Sequence, residues 1–292
     1  MKIKVPSGKY ILAVSGGVDS MVLLDLLSKL PEVELIIAHF DHGIRSDSAE
    51  DEALVERAAD SYDLEFETRR GNLGAGASED EARQARYVFL RDLQKKYRAA
   101  KIITAHHQDD LIETALINLI RGTGRQGLSS ISSNPGILRP LLGVPKEEII
   151  KYAKVHDLKW REDSSNTETD YLRNRLRHKV LSTMDDEKRQ AVLKNLSKAA
   201  TLNLEIDKNI ATLSQLVGEQ EINRSVFSAL PVAVGNEILV HQLRSHGIHD
   251  FDSKTINRLN MAIRTARVDS THPIKRQSSL KIGLRTATWL TS

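Results

Sequence analysis

The run Ser15-Gly16-Gly17-Val18-Asp19-Ser20 follows the apolar stretch Tyr10-Ile11-Leu12-Ala13-Val14 and leads into a helical pattern at Met21. Two glycines let backbone N–H groups approach an anion, and the helix that follows points its positive end at the same place. Ser15 and Ser20 add hydroxyl donors, and Asp19 offers a carboxylate within reach of a magnesium ion carried by phosphates. A second group of reactive types is His106-His107-Gln108-Asp109-Asp110, with Glu113 one helical turn on. Asp110 and Glu113 share a helix face at i, i+3, where they could bind a metal or the ammonium groups of an amino acid. His106 and His107 could accept protons near neutral pH. A third segment, His39-Phe40-Asp41-His42-Gly43-Ile44-Arg45, puts Asp41 where many nucleotide-binding sheets meet the ribose or base.

These segments need a scaffold that brings them to one edge. The first half of the chain alternates apolar runs with helical patterns, the signature of βα units around a parallel sheet. Strands are predicted over 10–14, 34–39, 64–68 and 101–105, with a short fifth near 137–139. Helices are predicted over 19–28, 49–62, 79–97 and 109–121, two of them opened by capping boxes, Ser48 with Asp51 and Ser78 with Glu81. A further helix begins at Pro145. In an open α/β sheet ligands bind at the carboxyl ends of the strands, and three strands end in the polar segments above. One shared site follows.

Beyond Trp160 the pattern becomes helical, over 174–185, 187–217 and 236–245, with short strands near 278–290. The expected architecture is α/β: a parallel five-stranded sheet flanked by helices, then a smaller, mainly helical C-terminal domain. The expected division is 1–185 and 186–292. The glycine run Gly122-Thr123-Gly124-Arg125-Gln126-Gly127 follows a helix rather than a strand, so it reads as a helix-terminal loop and not as a dinucleotide fingerprint. No lysine-bearing G-x-x-x-x-G-K-[ST] loop is present.

Composition sets further limits. Cysteine is absent from all 292 residues, which excludes thiolate metal sites, iron–sulfur clusters and persulfide chemistry within this chain. The net charge of +3 is unevenly spread. Acids dominate 41–67, whereas 254–285 is basic with Asp269 as its one acid, a footprint for nucleic acid or a solvated face. No apolar run is long enough to span a bilayer, so a cytoplasmic location is expected.

The Ser15–Ser20 loop resembles the pyrophosphate loop of the PP-loop ATP pyrophosphatases. The ordered set of segments is similar to the tRNA(Ile)-lysidine synthetase family: Ser15–Ser20, His39–Arg45, Ala82-Arg83-Gln84-Ala85-Arg86-Tyr87, Ala105–Thr114, Arg121–Gly124, Arg139–Leu142, and the stretch from Trp160 to Arg177. The resemblance covers the first domain and its junction. It implies ATP and Mg²⁺ as cofactors, with Ser15, Gly16, Gly17, Val18, Asp19, Ser20 and Asp41 on the nucleotide and Asp19 near the metal. It implies catalytic roles for Asp19, His106, His107 and Asp110. Substrate contacts fall to Asp110, Glu113, Arg83, Arg121, Arg173, Asn174 and Arg177. The implied partners are free L-lysine and the isoleucine tRNA with anticodon CAU; a homodimer is compatible with it. Two other readings stand beside it: a nucleotide-binding regulator without turnover, and a metal-dependent phosphohydrolase using His39, Asp41, His106 and Asp109.

Overall fold

The computed structural model describes residues 1–43, 48–71, 78–129, 131, 134, 136–161, 171–248, 250–275 and 278–290. The chain divides into two compact units, Met1–Ala200 and Thr201–Ser292.

The first unit is built on five parallel strands: β1 (Gly8–Ala13), β2 (Val33–Asp41), β3 (Glu65–Arg70), β4 (Lys101–Ile103) and β5 (Ile137–Leu138). Their order is β3-β2-β1-β4-β5, so β1 is central and β4 is its neighbour. Both faces of β1 and β2 are covered, which is why they read as apolar runs rather than alternating ones, whereas the edge strand β3 is polar and largely exposed. Alternate residues still go to opposite faces. Leu12 and Ile37 join α1 (Val18–Ser28) and α6 (Lys146–Val155) in one core, while Ile11 and Ile36 join α3 (Glu79–Tyr97) in the other. The remaining helices of this unit are α2 (Ser48–Ser61), α4 (Gln108–Ile120), α5 (Arg125–Leu128), α7 (Tyr171–Lys179) and the start of α8 (Asp186–Val217). The capping box at Ser78 and Glu81 is present. Ser48 Oγ donates to Asp41, and Asp51 pairs with Arg161. The helix expected over 174–185 begins earlier, at Tyr171, ends at Lys179, and is followed by a 3-10 turn at Leu181–Thr183.

Helix α1 is buried on nearly every side from Ser20 to Leu27, including the carboxylate of Asp25. A buried charge needs partners. Asp25 accepts hydrogen bonds from Lys29 Nζ, Tyr62 OH and Tyr152 OH, each at 2.7 Å, so it ties α1 to α2 and α6. Burial raises the Asp25 pKa, but the bonds from Lys29, Tyr152 and Tyr62 outweigh it and hold the carboxyl below its ordinary value. Burial and the adjacent carboxylate push Tyr62 up to about 12.

In the second unit, β6 (Glu221–Asn223), β7 (Thr271–Lys275), β8 (Ser278–Ile282) and β9 (Thr286–Leu290) form an antiparallel sheet in the order β6-β9-β8-β7. Helices α9 (Arg224–Ala229), α10 (Val232–Ser245) and α11 (Ser253–Thr265) pack on it through Phe227, Ile238, Leu239, Leu259 and Ile263. The sheet is more extensive than the strands expected near 278–290. Arg224 fastens the end of α11, its guanidinium donating to the carbonyls of Ile263, Ala266 and Gly283. Among the described residues no helix is long and apolar enough to cross a membrane.

Asp25→Ala leaves two tyrosine hydroxyls and an ammonium without their acceptor. It is expected to cost about 3 kcal/mol in urea unfolding, with Tyr62→Phe costing about 1 kcal/mol. Because the folded pKa of Asp25 is lowered, its contribution is full above the unfolded value near 4. It fades as pH falls through the folded value, so the gap between wild type and Asp25→Ala narrows in acid.

Candidate active site

The loop at the end of β1 is shaped by its own hydroxyls. Ser20 Oγ donates to the Gly17 carbonyl at 2.9 Å and accepts from the Ser15 N–H at 3.2 Å, closing the turn across its base. Gly16 sits at φ +90°, a conformation that favours glycine, and its carbonyl accepts the Arg161 N–H at 3.0 Å. Gly17 caps α1 without a side-chain hydrogen bond, so Val18 and the residues after it present first-turn N–H groups for an anion. Beneath the loop, His39 Nδ1 lies 2.9 Å from the Val14 carbonyl and fixes the strand end from which the loop departs.

Asp19 faces away from the closed turn. Its Oδ1 pairs with Lys146 Nζ at 2.6 Å, and its Oδ2 lies 3.8 Å from His107 Nε2. Lys146 opens α6, and its sequence context does not single it out. His107 is the N-cap of α4: its Nδ1 accepts the Asp109 N–H at 3.2 Å, and its own backbone N–H donates to Asp110 Oδ2 at 2.9 Å. With Nδ1 accepting, the proton of a neutral His107 resides on Nε2, directed toward Asp19 and toward Asp110 at 3.6 Å. His107 is therefore set up as a donor.

His106 differs. Its Nδ1 lies 2.8 Å from Thr104 Oγ1, and burial, reinforced by nearby arginines against the pull of Asp110, drives its pKa down to about 4. It is neutral at physiological pH. Burial opposes ionisation of Asp110, but His107, through both its charge and its backbone N–H, together with His106 and Arg177, holds that carboxyl below its usual range.

Glu113, only 1% exposed, pairs with Arg177 Nε at 2.6 Å, and Arg177 Nη2 lies 3.5 Å from Asp110 Oδ1. A cation already bridges the two carboxylates that the sequence marks for ammonium groups. Asp109 turns elsewhere, to a buried ion pair with Arg189 that joins α8 to α4.

The sequence-marked residues are not all gathered. Asp19, His107, Asp110, Glu113 and Arg177 form one connected set around the loop. Asp41 accepts from Gly43 N–H and Ser48 Oγ and pairs with Arg70 at 3.3 Å, so both its oxygens shape the turn after β2. Arg121 lies at the far end of α4, about 17 Å along the axis from Asp110. Arg83 is exposed on α3. Arg173 and Asn174 belong to α7, their side chains outside the described residues, as are Ile44 and Arg45. His39, Asp41, His106 and Asp109 each serve different local partners. Among the described residues, no three such side chains converge on a metal position.

A sheet of order 3-2-1-4-5 with a glycine–serine anion loop on its central strand defines a nucleotide-binding α/β domain. The sequence profile of the PP-loop domain, an ATP-binding family, matches residues 2–184, and the chain belongs to that family. Among curated relatives, a tRNA(Ile)-lysidine synthase of Geobacter sulfurreducens is 39% identical over 188 residues, covering 60% of this chain and 40% of the relative. A protein of the same name from Legionella pneumophila is 33% identical over 276 residues, covering 90% and 63%. The chain thus spans about half the length of the curated relatives it matches. Among solved structures, the U34-tRNA thiolase NcsA of Methanococcus maripaludis aligns with a TM-score of 0.53 at 15% identity, over 68% of this chain and 74% of that one, a likeness of fold.

The environment of His106 is open to direct test. Its imidazole resonances are expected to stay in the neutral form from pH 8 to about 5, with a midpoint near 4. The unfolded chain takes up that proton near pH 6.5, so His106 stabilises the fold fully above that value and loses this contribution as pH falls toward 4. A midpoint near 6.5 by NMR titration would contradict the desolvation of this half-buried imidazole.

Proposed function

We propose that this chain is a tRNA(Ile)-lysidine synthetase, an ATP-dependent ligase that joins lysine to the wobble cytidine of the isoleucine tRNA with anticodon CAU. The observation that carries the reading is a pyrophosphate loop on β1 beside a carboxylate–imidazole cluster on the neighbouring β4. A nucleotide regulator has no use for that cluster. The curated relatives of this name add support.

In the proposed reaction the C2 oxygen of cytidine 34 attacks the α-phosphorus of ATP, and pyrophosphate leaves. The ε-amine of free lysine then forms a bond to C2, the C2–O bond breaks, and AMP leaves. The product, lysidine, pairs with A instead of G. Ser15, Gly16, Gly17, Val18 and Ser20 hold the departing phosphates, with Lys146 adding positive charge beside them. Asp19 has the chemistry to hold Mg²⁺, one carboxylate with phosphate and water being its usual set, and the ion when bound neutralises charge on the phosphates. His107 Nε2–H donates toward the reacting phosphate. His106, unprotonated, accepts a proton; the amine of free lysine ordinarily titrates near pH 10.4 and must shed one before it attacks.

The ammonium of lysine replaces Arg177 between Asp110 and Glu113, and Arg177, released from that bridge, turns to the carboxylate of lysine. Asp41 meets the nucleoside of ATP. Arg83, Arg121, Arg173 and Asn174 contact the tRNA. Residues 1–185 form the catalytic part and 186–292 the tRNA-binding part. The site of action is the cytoplasm, as one chain or as a homodimer.

The deciding assay is transfer of labelled lysine to a CAU isoleucine tRNA transcript with ATP and Mg²⁺, against a transcript with uridine at position 34. Incorporation confined to the cytidine transcript, with AMP and pyrophosphate released, is the expected result; none on either transcript refutes the reading. Asp110→Ala should cut kcat/KM for lysine by roughly a hundredfold while pyrophosphate release persists, and Lys146→Ala should depress the adenylation step itself.

A further inference from the structure

Three arginines gather around one tyrosine on the β4–β5 flank of the sheet. Tyr87, on α3, is 8% exposed. The guanidinium of Arg83 lies 5.3 Å from its ring centre and that of Arg86 lies 5.6 Å from it. Arg139, the residue after β5, comes up against the hydroxyl of the same ring. The two are close but poorly aligned: the Tyr87 hydroxyl and Arg139 Nε are both buried, and neither completes a hydrogen bond of good geometry.

Burial lowers the Arg139 pKa, Tyr87 opposes this, and Arg83 lowers it further; among the described residues no carboxylate acts on Arg139. Arg139, half-buried, thus meets a second cation in Arg83 and no carboxylate among the described residues, a cost that an incoming anion removes. Guanidinium forks match phosphate oxygens in pairs, and the cation–π contacts on Tyr87 hold two of the forks in place.

Position identifies the anion. Strand β5 lies two strands from β1, about 10 Å away. The phosphates of a nucleotide anchored on the β1 loop lead toward Asp19 and His107, at the edge of β4. The flank beyond, where Arg139 stands, is left for the phosphate of the second substrate. An enzyme that works on a base draws that nucleotide out of its stack, which brings the adjoining phosphodiester to the rim of the site.

We propose that Arg83, Arg86 and Arg139, arranged around Tyr87, bind the RNA phosphate adjoining the nucleotide that is modified. This rests on tRNA being the substrate, as proposed above, and extends it to three residues acting on one defined group.

The test uses the full chain, the CAU tRNA, and the same tRNA with a neutral methylphosphonate at the phosphate on either side of position 34. Wild type should lose about tenfold in affinity for one of the two neutralised tRNAs. Arg83→Gln, at an exposed position, should lose affinity for the natural tRNA and show little further loss on the neutral one. Its log–log salt slope should fall by roughly 0.7 to 1. Arg139→Lys, which keeps the charge and removes the fork, should likewise bind the natural tRNA less tightly and lose little more on the neutral one. ATP affinity without tRNA should be unchanged in both variants.

If wild type binds both neutralised tRNAs as tightly as the natural one, the site is not an RNA phosphate site. If the variants weaken ATP and leave tRNA alone, the phosphate is the nucleotide's and the proposal fails. Failure of wild type to transfer lysine at all overturns the function and this inference together. Transfer without phosphate dependence overturns the inference alone.

Discussion

The ion pair between Asp19 and Lys146 is the contact on which the site depends. It joins residues 127 positions apart, at the first turns of α1 and α6. Six residues further along each helix, Asp25 meets Tyr152 in a second rung of the same ladder. The two rungs set the register of α1 against α6, and α1 carries the glycine–serine loop at its start. A shift of either helix would move the loop relative to the acids on α4. The buried Asp25 network thus links the stability of the core to the geometry of the site, since the helix that must be held is the one that carries the glycine–serine loop.

The second constraint is the cap of α4. One histidine and one carboxylate satisfy the exposed backbone of that helix start, and in doing so they acquire fixed orientations and a fixed tautomer. Structural need and chemical use coincide there. His106, one residue earlier, has no capping duty; it is half-buried beside Thr104 and desolvation keeps it unprotonated, whereas His107, the more buried of the two, directs its Nε2 toward Asp19. The Asp110 carboxyl is held below its usual range chiefly by His107, with His106 and Arg177 adding to the effect, and Glu113 pairs with Arg177.

The central strands β1, β2 and β4 were legible because they are largely buried, which makes each a dense apolar run between polar punctuation, whereas the edge strand β3 carries only Phe66 as an apolar residue. Periodicity located α1 through α4 and α6 to within a residue or two. In the second unit β7 was missed because Thr271-His272-Pro273-Ile274-Lys275 contains a proline and little apolar character, and α11 because its buried face includes Asn260. The loop and the acidic cluster were visible as dense runs of reactive types. Lys146 was not, since a lysine after a proline looks like any surface lysine until its distant partner is known. Asp109 shows the opposite difficulty: it stands in the motif, yet its charge is consumed by Arg189, 80 positions away.

The position of β1 at the centre of the sheet has a consequence for a chain still being made. Its pairing with β2 needs only the crossover through α1, but its other edge stays open until β4 is made. The partner strand β4, with His106, His107 and Asp110 at its end, comes some sixty residues later, and Lys146 later still. Domains generally fold as units, and β1 to β5 belong to one such unit. The loop near the start of the chain therefore waits for a partner 127 positions away, and the site exists only once the whole edge of the sheet does.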